Sequence, residues 1–563
     1  MPRRLLAAAG LVALTGCRPA ARPSTLFELL PPELTGVAFV NALPEDSAFN
    51  ILNYLYYYNG GGVAAGDIDG DGLSDLYFTS NLGSDRLYLN QGNFRFEDIT
   101  VRAGVAGSEG WTTGVTMADV NGDGRLDIYV SAVSYLGMRG HNVLYLNNGD
   151  GTFADRTKAY GLEHAGYSTQ AAFFDYDGDG DLDMYLLNHS THTERAISRS
   201  TSRTVRSAAA GDRLFRNDGT RFVDVSDRAG IYGGVEGYGL GVVASDLNLD
   251  GCPDLYVAND FQENDFLYVN NCDGTFTESI TAATGHTSRF SMGVDAADFN
   301  NDGRPDLMVL DMLPEREEIL KTSANAEGFN VFNLRLKAGY HPQYARNTLQ
   351  LNRGQVGRSI RFSDIGYLAG VSATDWSWAP LFADLDNDGR KDLFITNGIY
   401  RRPNDLDYIN YVGNEAVQAS LASGITQENL RLLRKMPQFP LANYAYRNNG
   451  DLTFTNMAQA WGLDQPGFSN GAVYVDLDND GALDLVVNNV NAPATILRSR
   501  AREINGNHYL QVRLMGAGAN TSGIGAKVMI TQRGTRQMLE QMPTRGFQSS
   551  VDPRLHFGLG GST

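Results

Sequence analysis

The chain has 563 residues, 65 acidic against 46 basic side chains and a formal net charge of −19. That length exceeds one ordinary hydrophobic core unless the core is spread over repeats. The basic residues are scattered and form no motif of that kind, so a nucleic-acid footprint is excluded.

Met1-Pro-Arg-Arg precedes an apolar stretch from Leu5 to Leu14. A basic start followed by an apolar run of this length makes a secretion signal, too short to span a membrane. Leu14-Thr-Gly-Cys17 resembles a bacterial lipobox, which implies cleavage before Cys17 and lipid on its sulfur. Arg18 rather than Asp follows, so an outer-membrane lipoprotein of the cell envelope, facing periplasm or surface, is expected. Residues 18–36, with Pro and Ala, read as a tether.

A nine-residue pattern, Asp-x-[Asp/Asn]-x-Asp-Gly-x-x-Asp, then occurs seven times, beginning at Asp67, Asp119, Asp175, Asp246, Asp298, Asp384 and Asp476. Acids at positions 1, 3, 5 and 9 of one short loop repel each other unless a cation sits between them. A hard divalent ion takes six to eight oxygens at about 2.3–2.6 Å, which makes Ca2+ the natural choice, and up to seven ions are expected. Gly at position 6 permits the sharp turn that folds the oxygens inward. Position 7 adds a backbone carbonyl in such loops. The candidate ligands are Asp67, Asp69, Asp71, Leu73 and Asp75 in the first loop, and Asp119, Asn121, Asp123, Arg125 and Asp127 in the second. The third has Asp175, Asp177, Asp179, Asp181 and Asp183, and the fourth Asp246, Asn248, Asp250, Cys252 and Asp254. Asp298, Asn300, Asp302, Arg304 and Asp306 follow, then Asp384, Asp386, Asp388, Arg390 and Asp392, then Asp476, Asp478, Asp480, Ala482 and Asp484. These windows hold 26 of the 65 acids, so the acidity is largely metal-site acidity.

Around each loop lie short apolar runs with Gly/Asn turns. In the second repeat they are Gly114–Asp119, Leu126–Val130, Val143–Asn147 and Thr152–Asp155. Four short strands at a period above fifty residues indicate propeller blades, with the acidic loop joining strands A and B. Strand D carries Phe-x-[Asp/Glu/Asn] at Phe96, Phe153, Phe222, Phe276, Phe362 and Phe454, six copies for seven loops. A seventh copy, Phe39-Val-Asn41, precedes the first loop, and we read it as the strand that completes the last blade and closes the ring. The expected fold is all-β, a closed seven-bladed β-propeller over 37–500.

These repeats resemble the FG-GAP/VCBS family, to which the head of the integrin α subunit belongs. Asn507–Leu514, Gly523–Val528 and Leu555–Gly560 resemble the ASPIC/UnbV domain, giving a small β domain over 505–563. Such domains normally continue past this Phe-Gly-Leu-Gly, which implies a partial domain here.

In up-and-down blades the A–B and C–D turns share one face and the B–C and D–A connections the other. Cys252 (A–B loop) and Cys272 (C–D turn) meet on the metal-loop face, as a disulfide or as two thiols. Insertions lie on the opposite face, at 189–211 in blade 3, 314–346 in blade 5 and 401–441 in blade 6. The first carries Arg195, Arg199, Arg203 and Arg206 against Glu194, and the third a helix-like stretch at Glu428–Arg434. Long loops on a rigid scaffold either bind a ligand or pack as a lid. On that face Trp111, Tyr167, Tyr238, Phe290, Trp376 and Phe468 stand eight residues before each later loop. They serve inter-blade packing or a stacking platform, with Trp376 and Trp378 the expected exposed members.

Gly60-Gly-Gly62 lacks the Lys-Ser/Thr of a phosphate loop and reads as close packing at the channel. His189-Ser-Thr-His192 lacks the Glu of a zinc-protease helix and reads as a loop pair. No nucleophile with a neighbouring base is legible. The expected function is a non-enzymatic, calcium-binding, lipid-anchored protein that presents a propeller face to a glycan or protein, in adhesion or nutrient capture. A calcium-dependent polysaccharide lyase or hydrolase, and a purely structural assembly module, are the alternatives.

Overall fold

In a computed structural model the described residues are 25–107, 110–191, 205–324, 327–357, 359–415, 417–418, 426 and 430–562. The leader and Cys17 lie outside them, as do His192, Glu194, Arg195, Arg199, Arg203 and Glu428. Among the described residues no helix is long and apolar enough to cross a membrane.

Seven four-stranded antiparallel units stand around one axis. Blade 2 is representative, with strands A to D at Trp111–Ala118, Asp127–Val133, Val143–Asn147 and Phe153–Asp155. Strand A of blade 2 is buried along its whole length because blades cover both its faces. Core side chains of adjacent blades interleave, as where Tyr129 meets Phe173 with ring centroids 5.8 Å apart. Burying such a side chain stabilises the ring by about 1.5–3 kcal/mol each.

A polar staple recurs at the blade seams. Strand C carries an Asn at one equivalent position in six blades, its last residue in five and Asn352 in blade 5, and the Asn Nδ2 reaches the metal loop of the preceding blade in five. Asn147 donates to Ile68 O at 2.7 Å, Asn270 to Tyr176 O at 2.8 Å and Asn90 to Leu477 O at 2.9 Å.

The ring closes through the N-terminal segment, but with other residues than expected. The outer strand of blade 7 is Phe27–Leu30, which pairs with Thr495–Ser499 in the register Phe27↔Ser499. It lies inside the stretch read as a tether. It ends in a helical turn, Pro32–Thr35, capped by Gly36 at φ 79°, as strand D of blade 1 ends in Thr100–Ala103 and Gly104 at φ 76°. Phe39–Asn41 instead wedges between blades 7 and 1. Ala494 N donates to Phe39 O at 2.8 Å, Asn41 Nδ2 donates to Asn81 Oδ1 at 2.8 Å, and the Phe39 ring stacks on Phe78.

The C-terminal region packs on the propeller rather than beside it. The paired strands His508–Val512 and Leu555–Gly560 and the hairpin Lys527–Glu540 lie on the metal-loop face, and the hairpin Thr544–Ser550 enters the channel. Thr544–Arg545 and Ser549–Ser550 extend the sheet of blade 1 to six strands. Phe547, at the tip, is wholly buried against Trp378, with ring centroids 5.0 Å apart. Arg545 Nη1 donates to Asp295 Oδ1 at 2.8 Å, pairing two charges deep in the channel. Gly62 makes room for this insertion: a Cβ there would stand 1.7 Å from Gln548 O.

Candidate metal centres and a channel-mouth pocket

The seven acidic loops share one conformation. Gly at position 6 has φ between 83° and 96° in all of them. Its N–H donates to the Oδ2 of the first Asp at 2.7–3.0 Å in every copy, from Gly72 to Gly481. The position-7 N–H donates to the position-5 carboxylate at 2.8–3.2 Å, from Leu73, Arg125, Asp181, Cys252, Arg304, Arg390 and Ala482. The turn is therefore held by backbone donors, while the acids are drawn inward.

Four loops gather three carboxylates with oxygens within 4.8 Å of one another: Asp67, Asp69 and Asp71; Asp175, Asp177 and Asp183; Asp384, Asp386 and Asp392; Asp476, Asp478 and Asp484. In blades 2, 4 and 5 the third position is Asn121, Asn248 or Asn300, whose Oδ1 accepts the position-5 N–H at 2.9–3.1 Å. Cys252 and Cys272 approach Asp250 in the same way, but they are joined in a disulfide, Sγ–Sγ 2.07 Å and Cα–Cα 5.8 Å. Disulfide sulfurs are not thiolate ligands.

The ninth-position acids are buried and serve two purposes. Asp75 accepts from Ile68 N at 3.0 Å and Asn90 N at 2.7 Å, which ties the loop to strand C. Burial pushes the Asp75 and Asp183 carboxyls up to about 8 and Asp127 up to about 7. Asp254, Asp306, Asp392 and Asp484 move the same way for the same cause, with neighbouring acids adding to it. Asp177 Oδ1, Asp181 Oδ1 and Asp306 Oδ2 are buried with no hydrogen-bond partner. Buried, mutually repelling acids with spare oxygens fit a hard divalent cation, whose charge would favour their ionised form.

The C-terminal domain reaches these loops from above. Gln511 Nε2 donates to Asp476 Oδ2 at 2.7 Å, and Thr521 and Lys527 donate to the first-position Asp119 and Asp246. Asn520 N donates to Gly180 O at 3.0 Å, and His556 Nε2 lies 2.7 Å from Asn387 Oδ1. Part of the metal-loop face is thus an internal interface of this chain, while acids such as Asp69, Asp71 and Asp123 stay exposed.

At the other end of the strands a pocket of about 480 Å³ opens at the channel mouth. The blade 5 insertion contributes Glu327, Gly328 and Val331, and the blade 6 insertion Pro403 and Ile409. Their helices are Phe329–Lys337 and Leu406–Val412. The helix-like stretch around Glu428–Arg434 is described only at Leu430–Leu433. The inner strands contribute Leu240 and Trp378, and the residues leading into them Met292 and Trp376. Of the two tryptophans expected to be exposed, Trp376 is half-buried and lines the pocket. Trp378 is 1% exposed, because its Nε1 donates to Gly398 O at 2.8 Å and its ring rests on Phe547. Trp111, Tyr238 and Phe290 are buried, in keeping with packing between blades.

Sequence reasoning missed two contributors. The segment 42–58 crosses the channel mouth and adds Ile51, Leu55 and Tyr56 to the pocket. Its Tyr-rich run was the available signal: Tyr54 OH lies 2.9 Å from His189 Nε2, and Tyr54 packs edge-on to Trp111. The second is the acid or amide before strand C. Asp85, Asp212 and Asp265 are buried, each accepts the Tyr hydroxyl of its own strand B at 2.7–3.1 Å, and burial pushes each up to about 7. Arg206, in the described part of the blade 3 insertion, pairs with Asp227 at 2.7 Å.

The architecture and the sites define a propeller of FG-GAP repeats with an ASPIC/UnbV domain docked on its loop face. FG-GAP-like repeats match residues 67–130, 132–186, 246–309 and 439–487, and ASPIC and UnbV matches 516–563. The chain is similar to cartilage acidic protein 1 of Homo sapiens, 24% identical over 545 residues that cover 92% of this chain and 69% of that protein. The same protein of Xenopus tropicalis is 23% identical over 546 residues, covering 92% and 70%. Among solved structures, an Agrocybe aegerita lectin that recognises non-reducing terminal N-acetylglucosamine aligns with TM-score 0.36 and 14% identity, over 74% of this chain and 87% of the lectin. A likeness at that level carries no argument about the ligand here.

Proposed function

We propose that the protein is a lipid-anchored component of the cell envelope, with lipid on Cys17, whose acidic loops hold Ca2+ and whose insertion-bearing face recognises a glycan or a protein. The observation that carries this reading is the division of labour between the two faces. Much of the metal-loop face is contacted by the chain's own C-terminal domain, with a pocket of about 470 Å³ between the loops of blades 5 and 6 and Gly534–Arg536. A pocket of about 480 Å³ with a largely apolar lining opens on the other side, beside the blade 5 and blade 6 insertions. Recognition loops on a stiff scaffold are a common arrangement. Ca2+ supports it by stiffness: at ten times its dissociation constant each ion adds about 1.4 kcal/mol to folding.

The lyase or hydrolase alternative gains less support. The acids at the pocket are held by neighbours: Asp260 accepts from Phe261 N at 2.8 Å, and Glu327 lies 3.5 Å from Arg289 and 3.2 Å from Arg335. The test is a glycan-array and envelope-protein binding screen in Ca2+ and in chelator, with every hit assayed for turnover. Hits that survive Val331→Arg and Ile409→Arg unchanged would place recognition elsewhere. Mass spectrometry of the mature N-terminus tests the lipid on Cys17 separately.

A further inference from the structure

The acidic loops are alike in backbone and unlike in charge, and blades 3 and 4 are the extremes. The loop of blade 3 has five acids, Asp175, Asp177, Asp179, Asp181 and Asp183. The arginine that acts on Asp177, Arg216, is itself paired with Asp218 at 2.8 Å. Asp177 Oδ1 and Asp181 Oδ1 are left buried with no hydrogen-bond partner. The loop of blade 4 has three acids, Asp246, Asp250 and Asp254, with Asn248 at the third position. The Asn248 Nδ2 donates to Asp250 Oδ2 at 2.9 Å, so these two groups already answer each other.

A cation of the chain itself enters the blade 4 loop. Lys527 Nζ lies 2.5 Å from Asp246 Oδ2 and 3.7 Å from Glu540 Oε1. Its place is fixed by the hairpin, in which Lys527 stands directly across from Glu540. Glu540 is buried, and it accepts from Asp246 N at 3.0 Å and from the Ser245 hydroxyl. The hairpin is therefore pinned to the first residue of the loop, with the ammonium held beside it. At the first-position acids of blades 2 and 7 the C-terminal domain places neutral donors instead, Thr521 and Gln511. A neutral donor leaves the charge of the acid for an ion, whereas an ammonium repels one.

Blade 4 also holds its loop by a bond that needs no ion. Arg125 packs over Gly149 and Arg390 over Gly450, from position 7 onto the C–D turn of the same blade. Cys252 occupies that position in blade 4 and is joined to Cys272 of the C–D turn.

We infer that Lys527 is a tethered cation of the blade 4 loop, competing with Ca2+ for Asp246, so that this loop takes its ion far more weakly than the loop of blade 3. The inference rests on the reading of the acidic loops as Ca2+ sites and sets their order of filling. Carboxylate count tunes such sites, and a tethered competitor acts at high effective concentration. By linkage, an ion that does enter this loop loosens the hold of the hairpin on blade 4.

The test counts Ca2+ bound per full chain by equilibrium dialysis, at the free Ca2+ that half-fills the wild type. Asp179→Asn and Asp250→Asn alter the same position of the two loops. The first should lower the count by about one ion and the second should leave it unchanged. Lys527→Met should raise it by about one ion, because the blade 4 loop then fills at about tenfold lower Ca2+. If Lys527→Met does not fold, a wild-type crystal equilibrated at the same free Ca2+ decides, with calcium anomalous density expected in the blade 3 loop and none in the blade 4 loop. A loss of one ion with Asp250→Asn, density in the blade 4 loop, or a count unmoved by Lys527→Met overturns the role of Lys527 and leaves the calcium reading standing. A wild type that binds no Ca2+ at any concentration removes both.

Discussion

Gly546 and Val294 exchange both of their backbone hydrogen bonds, at 3.0 Å each, in the middle of the propeller channel. The inner edge of a blade's strand A otherwise presents unpaired N–H and C=O groups to the channel. Here a hairpin from the far end of the chain pairs with several: Val115 N donates to Gln548 O at 3.1 Å and Val63 N to Ser549 Oγ at 3.2 Å. The hairpin also closes the channel from the loop side, so the pocket at the other mouth has a floor.

Phe547→Ala should therefore destabilise the whole propeller. A wholly buried Phe exchanged for Ala costs about 3–5 kcal/mol, and its loss would free Trp378 as well. Denaturant melts followed by tryptophan emission and by far-UV circular dichroism should shift together. A propeller whose own transition stays put, with only a separate C-terminal transition moving, would contradict the shared core.

Gly62→Ala should act through the same contact. A methyl group there would meet the Gln548 carbonyl, so the hairpin must withdraw or the first blade must shift, at a cost of about 1–3 kcal/mol for overpacking. Gly328→Ala serves as the control, since nothing lies within 4 Å of its added Cβ. Equal melting temperatures for the two variants would refute the tight fit.

Metal removal should lower stability in proportion to the loops emptied. Chelator is expected to reduce the melting temperature by several degrees, since seven terms of about 1.4 kcal/mol rival the 5–15 kcal/mol of a typical domain. Asp183→Asn, in the third loop, should remove one equivalent of Ca2+ by elemental analysis and a fraction of the chelator effect. A melting temperature indifferent to chelator would end the structural-calcium proposal.

Acid should unlock the channel mouth at His189. Burial pushes its imidazole down to about 3, against about 6.5 in an unfolded chain. Because the folded value is depressed, its contribution is complete above pH 6.5 and is lost as pH falls through the window towards 3. Between pH 7 and pH 5 the wild type should lose about 2 kcal/mol more than His189→Gln. Parallel pH profiles for the two proteins would show that His189 is not held neutral.

The blades were legible because each repeats its own chemistry: an Asp-rich loop, then Phe-x-acid on strand D. The closing strand was misplaced for a local reason. Phe27 occupies the Phe position, but Leu29 replaces the acid that marks the other copies. Gly36 also comes one residue later than its counterparts, such as Gly104 after Phe96. Phe39-Val-Asn41 matched the pattern and sits at a seam instead. The pocket was only half legible. The insertions announce themselves by length, whereas Met292 and Met312 read as ordinary core until the ring bends them to one point. The docking of the C-terminal domain was not legible, because Thr521 and Lys527 meet their aspartates across 402 and 281 residues.

The latch between the two extremes of the chain sets an order of events. Leu43 N reaches Asn491 Oδ1 across 448 residues, and Val63 N reaches Ser549 Oγ across 486. Each blade but the last can pair with itself as it is made, yet the seam waits for residues 491–499 and the channel for residues 544–550. Contacts of such range form late and slowly. An unfinished molecule is therefore an open arc with a bare inner edge, which proteases and chaperones can tell from a finished one. Completeness of the chain, rather than the stability of any blade, decides whether the ring survives.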